Sequence, residues 1–362
     1  MKRCFFRVDA SLEIGTGHVM RCLTLAKALR EYDIQCAFIC REHEGHLGEL
    51  IRKNAFDLFF LTTEIGSDLQ TDSGLAHSNW LHCSIDMDVK QTRQVLPEKI
   101  DCLIVDHYAL DARWESQMRS VCQKIVVIDD LADREHDCDI LLDQNLGTTE
   151  GDYSNLVPTH CIKLIGPKFA LLRPEFAQWR EYSLQRRHGN CLRKILVSMG
   201  GIDQFNVTSI VLKALSKINV LDGVQVFVVM GDNAPFLDDV RSICQEMLIS
   251  TTVLTNVNNM AELMANSDLV IGAVGATTWE RFCLGIPSIC IPVAHNQEKL
   301  ASFLALNGLV YLINDVNLIE EGMIDFFNKE YPSFLWKNDK VCAVTDGTGC
   351  KRLINKIFSV FN

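Results

Sequence analysis

The sequence predicts two doubly wound α/β domains facing one cleft. Three observations carry this expectation. Short apolar runs alternate with amphipathic segments along the chain, the pattern of parallel sheets. Each half opens alike, with an apolar strand, a glycine-containing turn and a helix. The 362 residues exceed what one typical core accommodates.

In the first half, strands are expected at 5–9, 36–40, 58–61, 102–106, 125–129 and 140–143. A helix is expected near 18–30, where Val19, Cys22, Leu23, Ala26 and Leu29 share one face. Residues 66–84 are polar, carry Gly and Ser, and read as a loop. The charged run 185–190 is the linker candidate, which puts the domains at 1–188 and 189–362. A fresh series follows, with strands at 195–198, 225–230, 252–254, 269–271 and 288–291. Helices are expected near 206–217, 236–248, 259–266, 276–284 and 297–306. The final segment, 349–361, has helical spacing suited to crossing back onto the first domain. No strict short repeat is present, which argues against a solenoid.

Hydrophobic residues make up 48% and charged residues 22%, an ordinary globular balance. A net charge of −11 argues against nucleic acid or an anionic membrane as the main partner. The fifteen cysteines form no Cys-x-x-Cys pair and many lie in apolar runs. They read as reduced, buried, small hydrophobes of a cytoplasmic protein, with a disulfide framework or zinc site as the alternative. The N-terminus is too briefly apolar for a signal peptide, and no segment has the ~18 apolar residues of a membrane span. A soluble monomer is the default expectation.

The most informative stretch is Gly15-Thr16-Gly17-His18, between an apolar strand and an amphipathic helix. Gly15 and Gly17 let a ligand approach the backbone, and the helix start offers unpaired N–H groups and a positive dipole end. The same field disfavours imidazolium, so His18 reads either as a neutral base or as a polar residue closing a tight turn. Met20 stands where a dinucleotide fingerprint needs its third small residue. No Gly-x-x-x-x-Gly-Lys-[Ser/Thr] loop, His-Glu-x-x-His pair or Cys/His cluster occurs.

Ser198-Met199-Gly200-Gly201-Ile202-Asp203 follows a strand and precedes a helix, where a pyrophosphate or sugar fits as well as a plain turn. Gly272-Ala273-Val274-Gly275-Ala276-Thr277-Thr278-Trp279-Glu280 reads as strand end, turn and helix start. The N–H groups of residues 276–278 suit a diphosphate, and Glu280 suits the two hydroxyls of a ribose. The alternative is a capping box with Thr277 as N-cap and Glu280 as its partner. Asp106-His107-Tyr108 and His295-Asn296-Gln297 also end apolar runs, and together these clusters form a constellation.

With these residues in hand, the chain resembles the UDP-2,4-diacetamido-2,4,6-trideoxy-β-L-altropyranose hydrolases of pseudaminic acid biosynthesis. These are GT-B-like relatives of the peptidoglycan N-acetylglucosaminyltransferase. The resemblance runs in order over residues 1 to about 310. It is carried by Arg7-Val-Asp-Ala-Ser, Gly15-Thr-Gly-His-Val-Met-Arg, Asp106-His-Tyr, Asp129-Asp130, Gly166-Pro-Lys-Phe-Ala-Leu-Leu-Arg-Pro-Glu-Phe, Ser198-Met-Gly-Gly-Ile-Asp and Thr277-Thr-Trp-Glu. It implies hydrolysis with inversion that releases UDP, with His18 as general base and neither metal nor cofactor. It implies that Gly200, Gly201, Thr277, Thr278 and Glu280 hold UDP and that Asn256 presents its backbone to uracil. Tyr108, Arg173, Asn296 and Gln297 then contact sugar or diphosphate. Val274 and Ala276 stand where related proteins often carry serines, which leaves phosphate binding there to the backbone. Residues 66–84 and those after 313 take no part in the resemblance.

Two other readings remain open on the sequence. One is an inverting glycosyltransferase or hydrolysing epimerase on the same scaffold. The other is a non-catalytic nucleotide-sugar sensor, which keeps the second-domain features and has no need of His18.

Overall fold

A computed structural model describes residues 2–63, 74–186, 192–218, 221, 223–331, 333 and 338–361, with the side chains of Asn296, Asn338 and Phe361 outside the description. The chain divides into two compact units, Met1–Leu171 with Thr348–Asn362, and Leu172–Gly347.

The first unit is built on seven parallel strands: β1 (Arg3–Val8), β2 (Gln35–Arg41), β3 (Asp57–Leu61), β4 (Ile100–Asp106), β5 (Cys122–Ile128), β6 (Ile140–Asp143) and β7 (Ile162–Ile165). Their order is β3-β2-β1-β4-β5-β6-β7. Strands covered on both faces read as unbroken apolar runs, and β4 and β5 do so with Leu103, Ile104, Ile125 and Val126 wholly buried. Helices α1 (Gly17–Arg30), α2 (Gly48–Lys53), α3 (Ile85–Val95) and α4 (Ala112–Met118) connect them.

The second unit carries six parallel strands: β8 (Lys194–Ser198), β9 (Gln225–Val229), β10 (Ser250–Leu254), β11 (Leu269–Gly272), β12 (Ser288–Cys290) and β13 (Tyr311–Leu312). Their order is β10-β9-β8-β11-β12-β13. Its helices are α5 (Pro174–Arg186), α6 (Val207–Leu215), α7 (Leu237–Glu246), α8 (Met260–Ala265), α9 (Ala276–Cys283), α10 (His295–Leu306), α11 (Ile319–Asp325) and α12 (Asn338–Cys342). The last helix, α13 (Gly349–Phe361), returns to the first unit. Its Leu353, Ile354 and Ile357 share a core with Leu25 and Leu29 of α1.

The division falls at Leu171–Leu172, earlier than the expected 188–189 boundary. The reason is α5, which packs against α8 and α9. Ser183 donates to the Leu284 carbonyl at 2.7 Å and Arg180 to those of Cys283 and Cys342. Of the expected linker run, residues 187–190 lie outside the described residues. Strands β7 and β13 were not anticipated: Lys163 interrupts the apolar run of β7, and the two residues of β13 are too short to show a period. Each cysteine among the described residues is a free thiol. Among the described residues, no helix is long and apolar enough to cross a membrane.

Candidate functional site

In both units the strand order reverses once, between β1 and β4 and between β8 and β11. Ligands of open α/β sheets bind at the carboxyl ends of strands beside such a reversal. Four of the five clusters singled out in the sequence follow these four strands, and His295-Asn296-Gln297 follows β12.

After β1, Ser11 Oγ accepts the N–H groups of Glu13 and Ile14 at 3.1 and 2.9 Å. Gly15 N donates to the Ser11 carbonyl at 2.9 Å, with Gly15 at φ +79°, a conformation open to glycine. This tight turn feeds α1 with His18 as its second residue. Helix α1 has neither a side-chain cap nor an acidic residue in its first turn, so its start is unneutralised. A Cβ placed on Gly15 or Gly17 meets nothing within 4 Å. Open space fronts this backbone.

The parallel pairing of β1 with β4 sets Val8 beside Asp106. The Asp106 side chain then reaches His18, whose Nδ1 lies 2.6 Å from Asp106 Oδ1. Arg21, one turn along α1, grips both Asp106 oxygens at 2.7 Å and Asp130 at 2.6 Å. Tyr108 donates its hydroxyl to Asp130 at 2.7 Å and sets its ring 4.6 Å from His18. Burial works against the charge on Asp106, but Arg21 and then His18 outweigh it and hold the carboxyl well below its ordinary range. An ionised Asp106 accepts the Nδ1 proton, which leaves the lone pair on Nε2. That atom makes no hydrogen bond among the described residues. The arrangement can therefore take a proton at Nε2, with Asp106 fixing the tautomer and Arg21 fixing Asp106.

Of these residues, His18 and Tyr108 were expected. Arg21 and Asp130 stood only inside the family-like strings, and Asp106 only in such a string and as the start of a polar cluster. Residues 66–84 hold one group that sequence reasoning missed. Residues 66–73 lie outside the described residues, but 78–81 form a short 3-10 turn. There Trp80 lies buried, its ring 5.5 Å from Tyr108 and 6.3 Å from His18. Nothing in its spacing marked it, because the pairing is made by tertiary packing.

Arg7, Asp9, Arg41 and Asp88 form a wholly buried ionic network in this unit. Arg7 bonds Asp9 at 2.6 Å and Asp88 at 2.7 Å, and Arg41 bonds Asp88 at 2.6 Å. Asp9 also receives the Arg41 N–H at 2.6 Å and has His107 Nε2 at 3.1 Å. Arg7 and Asp9 are therefore structural members of their string.

Asp143, at the end of β6, behaves in the opposite way to Asp106. Burial, then the negative charge of Asp130, pushes its carboxyl up to about 7. Its Oδ2 lies 3.1 Å from the Tyr153 hydroxyl, which donates to Asp129 at 2.8 Å. The folded state thus keeps a proton that the unfolded chain loses near pH 4. Stability should fall as pH rises from about 4 to about 7 and then level off. Asp143→Asn should remove this slope, visible as a smaller Tm difference between pH 5 and pH 8 than in the parent protein.

In the second unit, pairing sets Ser198 of β8 beside Gly272 of β11. Gly200 sits at φ +102°, and a Cβ on Gly200 or Gly201 meets nothing within 4 Å. Asp203 caps α6, accepting the N–H groups of Val207 and Thr208 at 2.9 and 2.8 Å. The start of α9 is capped two residues earlier than the Thr277 and Glu280 alternative supposes. Gly275 is the N-cap, and Thr278 Oγ1 accepts the Gly275 N–H at 3.2 Å and Arg281 at 2.9 Å. Thr278 is buried, so its hydroxyl serves the turn, while Thr277 is half-buried.

Glu280, free of that box, pairs with Arg173 at 3.3 Å across 107 positions of sequence. Burial raises its carboxyl above the ordinary range, with Arg173 partly opposing. Asn256 is exposed, in left-handed conformation at φ +51°, with its side chain on Asp232. Gln297 lies in the first turn of α10 and accepts the Val293 N–H at 3.0 Å. Asn296 lies in the same turn, and its side chain is outside the described residues. The expected residues divide between the units: Gly15, Gly17, His18 and Tyr108 lie in the first, and the remaining nine in the second.

Residues 195–329 match the glycosyltransferase family 28 C-terminal domain. The chain is 26% identical over 307 residues to the UDP-2,4-diacetamido-2,4,6-trideoxy-beta-L-altropyranose hydrolase of Campylobacter jejuni, covering 84% of this chain and 97% of that protein. It is 25% identical over 352 residues to the protein MJ1062 of Methanocaldococcus jannaschii, covering 95% of this chain and 66%, just under two thirds, of that longer protein. The crystal structure of Acinetobacter baumannii MurG superposes with a TM-score of 0.66 at 13% identity, covering 99% of this chain and all of that one. The fold is the two-domain Rossmann-like GT-B fold. In its motifs, its two parallel sheets and these relatives, the chain is similar to the UDP-2,4-diacetamido-2,4,6-trideoxy-beta-L-altropyranose hydrolase, with a glycosyltransferase family 28 C-terminal domain in its second unit.

Proposed function

We propose that this protein is an enzyme acting on UDP-sugars, and that it hydrolyses a UDP-linked diacetamido-trideoxy sugar in nonulosonic (pseudaminic) acid biosynthesis. The observation that carries the reading is the Asp106–His18 pair at the bare start of α1, with Nε2 unengaged among the described residues. His18 Nε2 takes a proton from water as the water oxygen attacks the anomeric carbon. The bond from that carbon to the β-phosphate oxygen breaks, and UDP leaves with the electron pair. The products are UDP, the free sugar with inverted anomeric configuration, and a proton that His18 returns to solvent. UDP is a good leaving group, so this step needs one base and not the paired carboxylates of ordinary glycosidases.

The nucleotide is held by residues of the second unit. The open backbone at Gly200, Gly201 and the start of α9 takes the diphosphate, Glu280 the ribose and the Asn256 backbone the uracil. Arg173, Asn296 and Gln297 add polar contacts, and Tyr108 lines the sugar beside His18. Thr278 contributes by keeping the α9 turn in shape. Replacing Glu280 with Ala should weaken UDP binding about tenfold, the value of a charge-assisted hydrogen bond pair, in a calorimetric titration. Unchanged affinity would remove Glu280 from the ribose site.

The transferase reading draws on the family 28 match, which covers the second unit alone. One experiment separates the readings. The protein is incubated with UDP-2,4-diacetamido-2,4,6-trideoxy-β-L-altropyranose and no acceptor, and UDP and anomer are followed by NMR. Release of UDP with the inverted free sugar is expected. UDP release only with an acceptor supports transfer, and no release under either condition supports a sensor.

A further inference from the structure

Beside His18 lies an aromatic group whose polar atoms are unevenly used. Trp80 Nε1 donates to Glu13 Oε1 at 3.0 Å, and Asn79 Nδ2 donates to the same oxygen at 3.0 Å. Glu13 belongs to the turn that delivers His18, so this carboxylate pins the 78–81 turn to the His18 loop. The Tyr108 hydroxyl is spent on Asp130. Trp80 and Tyr108 stack at 23°, and both rings keep only carbon for a neighbour. His77 differs. Its half-buried ring lies 4.3 Å from Trp80 and 5.5 Å from Tyr108. Its ring nitrogens make no hydrogen bond among the described residues. Burial, the largest influence, lowers its pKa below the usual histidine range, so the ring offers one donor and one acceptor at neutral pH.

We propose that His77 and Trp80 form the specificity wall of the sugar subsite, selecting acylamino-deoxy sugars over hydroxyl-rich ones. This rests on the UDP-sugar reading above. Aromatic carbon surface takes C–H groups, here a deoxy methyl or an acetamido methyl, and rejects hydroxyls that would be left unpaired. A secondary amide carries one donor and one acceptor, which matches the two nitrogens of neutral His77, unbonded among the described residues. Both residues act on specificity by touching the substrate and take no part in the proton transfer.

The test measures binding by calorimetry in the His18→Asn background, so no turnover intervenes. The probes are UDP, UDP-N-acetylglucosamine and the UDP-linked diacetamido-trideoxy sugar. His77→Ala should leave UDP affinity within about twofold and lower affinity for the diacetamido nucleotide about tenfold, the loss of one or two hydrogen bonds. UDP-N-acetylglucosamine should lose much less. His77→Phe keeps the ring packing and should show the same loss of selectivity with unchanged thermal stability. Trp80→Phe should reduce selectivity in the same direction. Equal losses for all three probes, or no loss for any, overturn the proposal. Because the readout is a ratio of affinities, it is decided even if the parent protein releases no UDP, a result that would sink the hydrolase reading alone.

Discussion

Replacing His18 with Asn or Phe should lower turnover about 10³-fold or more while UDP still binds. A positioned general base contributes roughly 10² to 10⁴ in rate, and in the proposed mechanism one imidazole carries that role without a paired carboxylate acid. UDP affinity should hold because the diphosphate and ribose contacts proposed above belong to the second unit. The check is steady-state UDP release against calorimetric UDP affinity on the same preparation. Full turnover in either variant removes His18 from the mechanism. Phe is the more demanding variant, since it preserves ring packing against Tyr108 and removes both nitrogens.

Asp106→Asn should have the second largest effect, on turnover and stability together. An amide beside Nδ1 no longer requires the Nδ1–H tautomer, so the lone pair is lost from Nε2 in part of the population. A fall of about 10² to 10⁴ in kcat is expected, with UDP affinity unchanged. Asp106 is also the counter-charge for Arg21, which is 6% exposed. Removing it should cost about 3 kcal/mol, softened because Arg21 keeps Asp130. The Asp106 carboxyl is depressed in the folded state, so its stabilisation is complete above the ordinary carboxylate range. It is lost only as pH falls well below that range. The stability gap between parent and variant should therefore be full at pH 7 and narrow in acid. A variant that unfolds like the parent at pH 7 would show that the Arg21–Asp106 pair contributes nothing.

Much of this was legible in the chain. Strand β6 was expected at the limits it has, and α13 likewise. Most others differ by one to three residues, because unbroken apolar runs do not mark where pairing stops. The turn at Gly15 and the bare start of α1 were readable because glycine and helix-start chemistry are local. Thr278 shows the limit of spacing. A Thr-x-x-Glu string fits a capping box, yet the box closes at Gly275 and Thr278, where the Gly275 N–H and Arg281 both donate to the Thr278 hydroxyl oxygen. The second of these bonds depends on where a buried arginine points, and no local pattern encodes it.

By itself the sequence determined the α/β class, the loop that carries His18, and the open glycines at 200 and 201. These follow from local periodicity and from residues whose backbone freedom or charge acts within one turn. Only the tertiary structure decided which loops meet. The reversal of strand order places β4 against β1 and so puts Asp106 on His18, 88 positions away in sequence. The same packing decided that Arg21 holds Asp106, that Trp80 joins Tyr108, and that Asp143 keeps its proton while Asp106 gives its own up. The physical reason is that each outcome is a balance of burial against the nearest opposite charge. Both quantities are set by neighbours in space and not by neighbours in the chain.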